Sequence, residues 1–217
     1  MSITVGIIGA TGYFGSKIFQ EAIFRNLNVI AITNSTPINI FKNNVKYIKA
    51  DFMNINELIN VLKNVDVVIY ASAPPKSFNL QQAVEFQQKA IPNIIEASLK
   101  VNAKRIIDIG GAGTLETNGI RNMDAPGFPE AFVIPSKATE MVRNLLINEN
   151  KISTTILCPS LNLFEGSRTG NYRINDNNQT IFNSNNNSEI STSDLAVALI
   201  DEVFNQKYLN KVIIAGY

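Results

Sequence analysis

The residues whose types and spacing invite chemistry stand close to the start of the chain, in Gly9-Ala10-Thr11-Gly12-Tyr13-Phe14-Gly15. They follow the apolar run Ile3 to Ile8 and precede an amphipathic stretch, so strand, loop and helix come in the order that phosphate binding requires. Gly9 permits a tight turn off the strand. Gly12 lets backbone approach a pyrophosphate where a β-carbon would clash, and Gly15 allows the helix to pack closely on the sheet. The unpaired N–H groups of the first helical turn, with the helix dipole behind them, then face the phosphates. No Gly-Lys-Ser/Thr follows, which excludes a P-loop. The chemistry predicted is the binding of a dinucleotide, through Gly9, Ala10, Thr11, Gly12, Tyr13, Phe14 and Gly15.

Ligands of open α/β sheets lie beyond the carboxyl ends of the strands, so the residues that follow later strands complete the cleft. After the second strand come Thr33 and Asn34, then Ser35, with neither an acid for a ribose hydroxyl nor an arginine for a 2′-phosphate. The choice between NAD and NADP is therefore open. Asp51 and Phe52 follow the third strand, where Asp51 either bonds the adenine amino group or caps a turn. Ala71, Ser72 and Ala73 offer small residues where the backbone passes the adenosine ribose and phosphate. Backbone N–H groups in the segment Gly110, Gly111, Ala112 and Gly113 are candidates to face a phosphate or the nicotinamide amide. Ala112 and Gly113 also line the expected acceptor pocket. Phe128, Phe164 and Tyr172 could stack there on a flat acceptor, and Arg168 could take a phosphate tail. Tyr172 is the candidate proton donor, and Lys137 the candidate to hold the nicotinamide ribose. Pro159, after the sixth strand, completes the cofactor set.

The elements that must position these residues read clearly. Short β-branched runs predict strands at 4–8, 28–33, 45–50, 65–71, 105–109, 154–158 and 211–215, alternating with helical periods. Helices are predicted from Tyr13 to Arg25, from Pro135 to Asn148, and after a capping box at Ser191-Thr192-Ser193-Asp194. A further helix near 80–99 should be kinked or split by Pro92. The Asn-rich stretch 175–188 predicts a surface hairpin turning at Asp176-Asn177-Asn178. The fold class is α/β, a Rossmann-type doubly wound parallel sheet in a single domain.

Composition narrows the partners. With 19 basic and 18 acidic residues the net charge is +1, and no run of one sign points to nucleic acid or an anionic membrane. The chain has no histidine and one cysteine, Cys158, which removes Ser-His and Cys-His nucleophilic mechanisms and the usual zinc sites; no metal is expected. An N-terminus that enters a strand directly, and a lone cysteine, predict a cytoplasmic protein. The expected partner is a small-molecule acceptor, and the chain is expected to be a monomer or a homodimer.

The first loop, Asp51 and Ala71-Ser72-Ala73 resemble the atypical short-chain dehydrogenases/reductases, whose glycine spacing is G-x-x-G-x-x-G. Ile109-Gly110-Gly111-Ala112-Gly113-Thr114-Leu115, Leu157-Cys158-Pro159-Ser160, Arg168-Thr169-Gly170-Asn171-Tyr172-Arg173 and Ala215-Gly216-Tyr217 narrow this. They look like NAD(P)H–flavin reductase-like members, near NmrA-like and NAD-dependent epimerase/dehydratase-like proteins. The resemblance implies strand order 3-2-1-4-5-6 with one further strand, and a small C-terminal lobe at about 159–192 over the nicotinamide. It also exposes a departure: Tyr-x-x-x-Lys, whose lysine lowers the tyrosine pKa, reads Val133 four residues before Lys137. Hydride transfer to a flavin or quinone suits such a site, because a conjugated acceptor spreads its charge and takes a proton from water. A dinucleotide-sensing regulator without turnover and a nucleotide-sugar epimerase or dehydratase are the alternatives.

Overall fold

The computed structural model describes residues 2–34 and 44–217. Seven parallel strands make the frame: β1 (Thr4–Ile8), β2 (Asn28–Thr33), β3 (Val45–Lys49), β4 (Val67–Tyr70), β5 (Arg105–Ile109), β8 (Ser153–Pro159) and β12 (Lys211–Gly216). The short hairpin β6 (Glu116–Thr117) and β7 (Ile120–Arg121) and the pieces β9 (Asn162–Phe164), β10 (Arg173–Asn175) and β11 (Glu189–Ser191) lie in the connections. The order across the sheet is β3-β2-β1-β4-β5-β8-β12-β10, and only β10, on β12, runs antiparallel. The 3-2-1-4-5-6 order implied by the resemblance is thus present, extended by β12 and β10. The segment after Pro159 is a parallel pair, β9 with β11, beside the edge strand β10.

Both faces of the sheet are covered because the strand residues alternate between two apolar sets. Ile8, Ile32, Val68, Tyr70, Ile106 and Ile156 pack on α2 (Ile55–Val61), α3 (Leu80–Lys100) and α4 (Val133–Ile147). Val5, Ile7, Ala31, Ile69, Ile107 and Leu157 pack on α1 (Tyr13–Phe24) and α5 (Thr192–Asn205). Fully buried side chains such as Ile94 on α3 anchor this packing, and truncating one to alanine typically costs about 2–5 kcal/mol. At the amino end of the strands, buried Arg105 pairs with Glu202 of α5 and bonds the hydroxyl of Thr155.

Two expectations fail. Pro92 neither splits nor ends α3, which runs unbroken for 21 residues. Pro92 and Gln88, whose carbonyl loses its donor, both lie on the exposed side, where that carbonyl is open to solvent. The helix is also well started, since Asn79 and Gln82 form a complete capping box. The stretch 175–188 is not a hairpin, because β10 spends its hydrogen bonds on β12 and Gln179 bridges to Glu116 instead. The turn at Asp176-Asn177-Asn178 does form, with Asn178 at φ 64° and the Asn177 side chain accepting from the Gln179 N–H. Asn183 makes a second turn by accepting from the N–H groups of Asn185 and Asn187. Among the described residues no helix is long and apolar enough to cross a membrane.

Candidate dinucleotide and acceptor site

The first loop leaves β1 through Gly9, whose φ of +85° is the left-handed region that glycine enters without strain. Its N–H and that of Ala10 donate to Ile32 O, at 3.0 and 3.3 Å, so the loop is pinned to β2. A β-carbon at Gly9 would lie 2.8 Å from the Ala71 carbonyl, and one at Gly15 would overlap the Gly9 carbonyl oxygen. Two of the glycines are thus required by close packing among β1, α1 and the end of β4. Gly12 is the N-cap of α1 and supplies no side-chain cap, so the first-turn donors are left for a ligand. Thr11 is joined to the end of β2 by a 2.9 Å hydroxyl contact with Thr33. Tyr13 and Phe14 meet edge to face, with Tyr13 largely exposed.

At the other strand ends the assignments divide. Asn34 follows β2 at the surface, and Ser35 lies outside the described residues. Asp51 is exposed and accepts from the Met53 N–H through Oδ1, a turn role that leaves Oδ2 for another donor. The Phe52 ring is core, packed edge to face on Tyr70 and Phe86, so it is not a cleft side chain. Ala71, Ser72 and Ala73 line the way past Gly9.

The loop after β5 departs from expectation. The Gly110 N–H donates to Leu157 O, so it is not offered to a phosphate. Gly110 is small because β8 crowds it: a β-carbon would sit 2.5 Å from Cys158 Sγ. Gly113 is pressed on Ser136 with the Phe128 ring alongside, so these two candidate residues, Gly113 and Phe128, lie together. Lys137, in the second turn of α4, forms a loose ion pair with Glu140 across 3.6 Å, beyond hydrogen-bond distance. Pro159, buried, closes β8 against Ala215.

Two residues assigned to the acceptor pocket belong elsewhere. Tyr172 donates to Asp201 of α5 at 2.6 Å, and Asp201 accepts from Arg25 at the far end of α1. The α1 helix, twelve residues or about 18 Å long, separates Arg25 from the dinucleotide loop. Burial, and then the bond to Asp201, push the Tyr172 pKa up, and its proton is committed to that carboxylate. Arg168 forks onto both oxygens of buried Glu21, at 2.6 and 2.8 Å, and covers the Phe24 ring. It is an ion-paired residue packed on α1, its charge matched by Glu21 and not by a phosphate tail. Phe164, partly exposed, leans on Tyr217.

The Arg168–Arg173 motif is explained by a residue that sequence reasoning took only as a helix cap. Asp194, fully buried, accepts from the N–H groups of Thr169 and Gly170, the Thr169 hydroxyl and the Tyr217 phenol. The N-cap Ser191 accepts from the Asp194 N–H, but the reciprocal half of the capping box is taken by Tyr217, which accepts from the Ser191 N–H. A second missed residue is Glu165, which accepts from Lys17 at 2.8 Å and from Tyr13, tying the segment after β9 to the first turns of α1. Phe132, Ile134 and Leu161, exposed although large and apolar, also stand at the carboxyl end of the sheet. Their signal in the sequence was weak, because isolated apolar residues beside a helix start look like core.

Beneath this mouth lies a polar group without a partner. Asp108 of β5 is fully buried beside Tyr70 in the register of β4, and its Oδ2 has no hydrogen bond. Burial pushes its carboxyl up to about 8, and it likewise pushes the Cys158 thiol up to about 12.

A doubly wound sheet with a glycine loop feeding an uncapped helix at its centre defines a Rossmann dinucleotide-binding protein. Residues 9–206 match the family model described as NAD(P)H-binding. The chain is 32% identical over 215 residues to YwnB of Bacillus subtilis (strain 168), an uncharacterised protein, with 95% of each covered. A structure from Bacteroides thetaiotaomicron, described as a candidate epimerase, is 32% identical with TM-score 0.87, covering 100% of this chain and 98% of that one. Another, from Streptococcus pneumoniae TIGR4 and described as a candidate NADH-flavin reductase, is 27% identical with TM-score 0.85 and 99% of each chain covered. The chain belongs to the NAD(P)H-binding family.

Proposed function

We propose that this chain is an NAD(P)H-dependent reductase that passes hydride to a conjugated acceptor such as a flavin or a quinone. The observation that carries the reading is a complete dinucleotide loop beside a helix α4 whose position 133 is valine instead of the proton-relaying tyrosine. Bound at the loop, the nicotinamide supplies the hydride. The chain's own part is to hold and shield: the first turn of α1 receives the pyrophosphate, and Lys137, only loosely paired with Glu140, has donors to offer a ribose hydroxyl. Phe128, Ala112, Gly113 and the exposed apolar groups Phe132, Ile134, Leu161 and Phe164 supply walls for a flat acceptor and exclude water. With Tyr172 committed to Asp201, the reaction is best matched to an acceptor that takes its proton from solvent. The relative described as a candidate NADH-flavin reductase supports this direction.

The test is the loss of NADH and NADPH absorbance by purified protein with FMN, FAD or a quinone. Acceptor-dependent turnover is expected, with an aliphatic ketone reduced poorly or not at all. Cofactor binding without turnover on any acceptor would instead favour a dinucleotide-sensing regulator, the reading to which Val133 lends itself.

A further inference from the structure

We propose that the chain selects NADPH over NADH and that Lys49 makes the choice by pairing with the 2′-phosphate. This rests on the dinucleotide reading above and adds to it the identity of the discriminating residue. In a Rossmann cleft the adenosine ribose lies at the end of the second strand, where an acid holds the 2′-hydroxyl or a cation the 2′-phosphate. Here that end carries Thr33 and Asn34, and the Thr11–Thr33 contact fixes it against the dinucleotide loop. The acid that would favour NADH is missing, and the cation comes from the neighbouring strand.

β3 runs parallel to β2 with Lys49 directly beside Thr33, a register closed by the bond from the Ala50 N–H to Thr33 O at 3.1 Å. Side chains alternate along a strand. Val45 and Tyr47 of β3, like Val29 and Ala31 of β2, belong to the core beneath α1 and α5. Residues 49 and 33 therefore share that face, the face on which α1 presents its N-terminus. Adjacent strands stand about 4.8 Å apart, well within the reach of a lysine. Lys49 is exposed and, among the described residues, makes no ion pair. The carboxylates next along the chain take other donors at the start of α2: Asp51 Oδ1 accepts from the Met53 N–H, and Glu57 from the Asp51 N–H and the Asn54 amide. An edge-strand lysine can also serve merely to discourage strand pairing. Lys46 on the opposite face of β3 serves that purpose equally well, which makes it the control.

The experiment is calorimetric titration of the full chain with NADPH and with NADH at low ionic strength. Wild type is expected to bind NADPH about fivefold or more tightly, equivalent to roughly 1 kcal/mol. Lys49→Gln is expected to remove that advantage while leaving NADH affinity within about twofold, Lys49→Arg to keep it, and Lys46→Gln to change neither affinity. Raising the salt should narrow the gap in wild type and not in Lys49→Gln. A wild type that binds both without preference, or a Lys49→Gln that weakens both alike or neither, overturns the assignment and leaves the dinucleotide reading standing. Failure to bind either dinucleotide overturns both.

Discussion

At the scale of single residues, the glycines of the first loop do two different jobs. Gly15→Ala places a methyl group into the Gly9 carbonyl, so helix α1 must move off the sheet. The expected result is a loss of about 1–3 kcal/mol of stability and of most dinucleotide affinity, read by denaturant melts and titration. Tyr172→Phe asks the converse question. The phenol is bonded to Asp201 at the far end of α1, so turnover should stay within about twofold while stability falls by about 1 kcal/mol. A drop of two orders of magnitude in kcat would restore Tyr172 to the chemistry. Asp108 gives a pH signature. Its folded pKa is raised by burial from 3.8 to about 8, so between those values the folded state holds a proton that the unfolded chain has released. Stability from this group is therefore greatest below about pH 4 and declines as pH rises toward 8. Asp108→Asn should flatten that decline and raise the melting temperature most at alkaline pH.

At the scale of elements, the parallel strands and α1 were legible because apolar runs and a helical stripe leave few alternatives. The edges of that reading failed where a local rule met a tertiary context. Pro92 looked like a break, yet it falls on the wet face of α3, where the orphaned carbonyl needs nothing from the protein. Arg168 and Tyr172 looked like ligand groups because a charged or phenolic residue in an aperiodic segment carries no sign of where it points. Their partners, Glu21 and Asp201, lie 147 and 29 residues away, on helix faces that the apolar stripe leaves undescribed. The geometry of the first loop was readable, since it is set by backbone and its spacing is local. The segment 161–172 is laced to α1 and α5 mainly by carboxylates, Glu21, Glu165 and Asp194. Glu21→Gln should raise protease cleavage within this segment while leaving dinucleotide affinity unchanged.

At the scale of the whole molecule, the dinucleotide must couple β1, β2 and β4 through contacts the free protein already has nearly in place. The loop is pinned to Ile32 and packed on Ala71, so little backbone has to be ordered on binding. Ligand binding to the folded state alone adds about 2.7 kcal/mol at a hundredfold excess over Kd. The melting temperature should accordingly climb steadily with dinucleotide concentration, and Gly15→Ala should abolish the climb.

Cys158 gives the molecule its own chemical clock. Its sulfur lies under Gly110, sealed from water, and burial keeps it a thiol. An alkylating reagent can therefore react only in the moments when β8 and the loop after β5 part. The labelling rate counts those moments. A ligand that seats on this mouth should slow the count, and one that binds elsewhere should leave it unchanged.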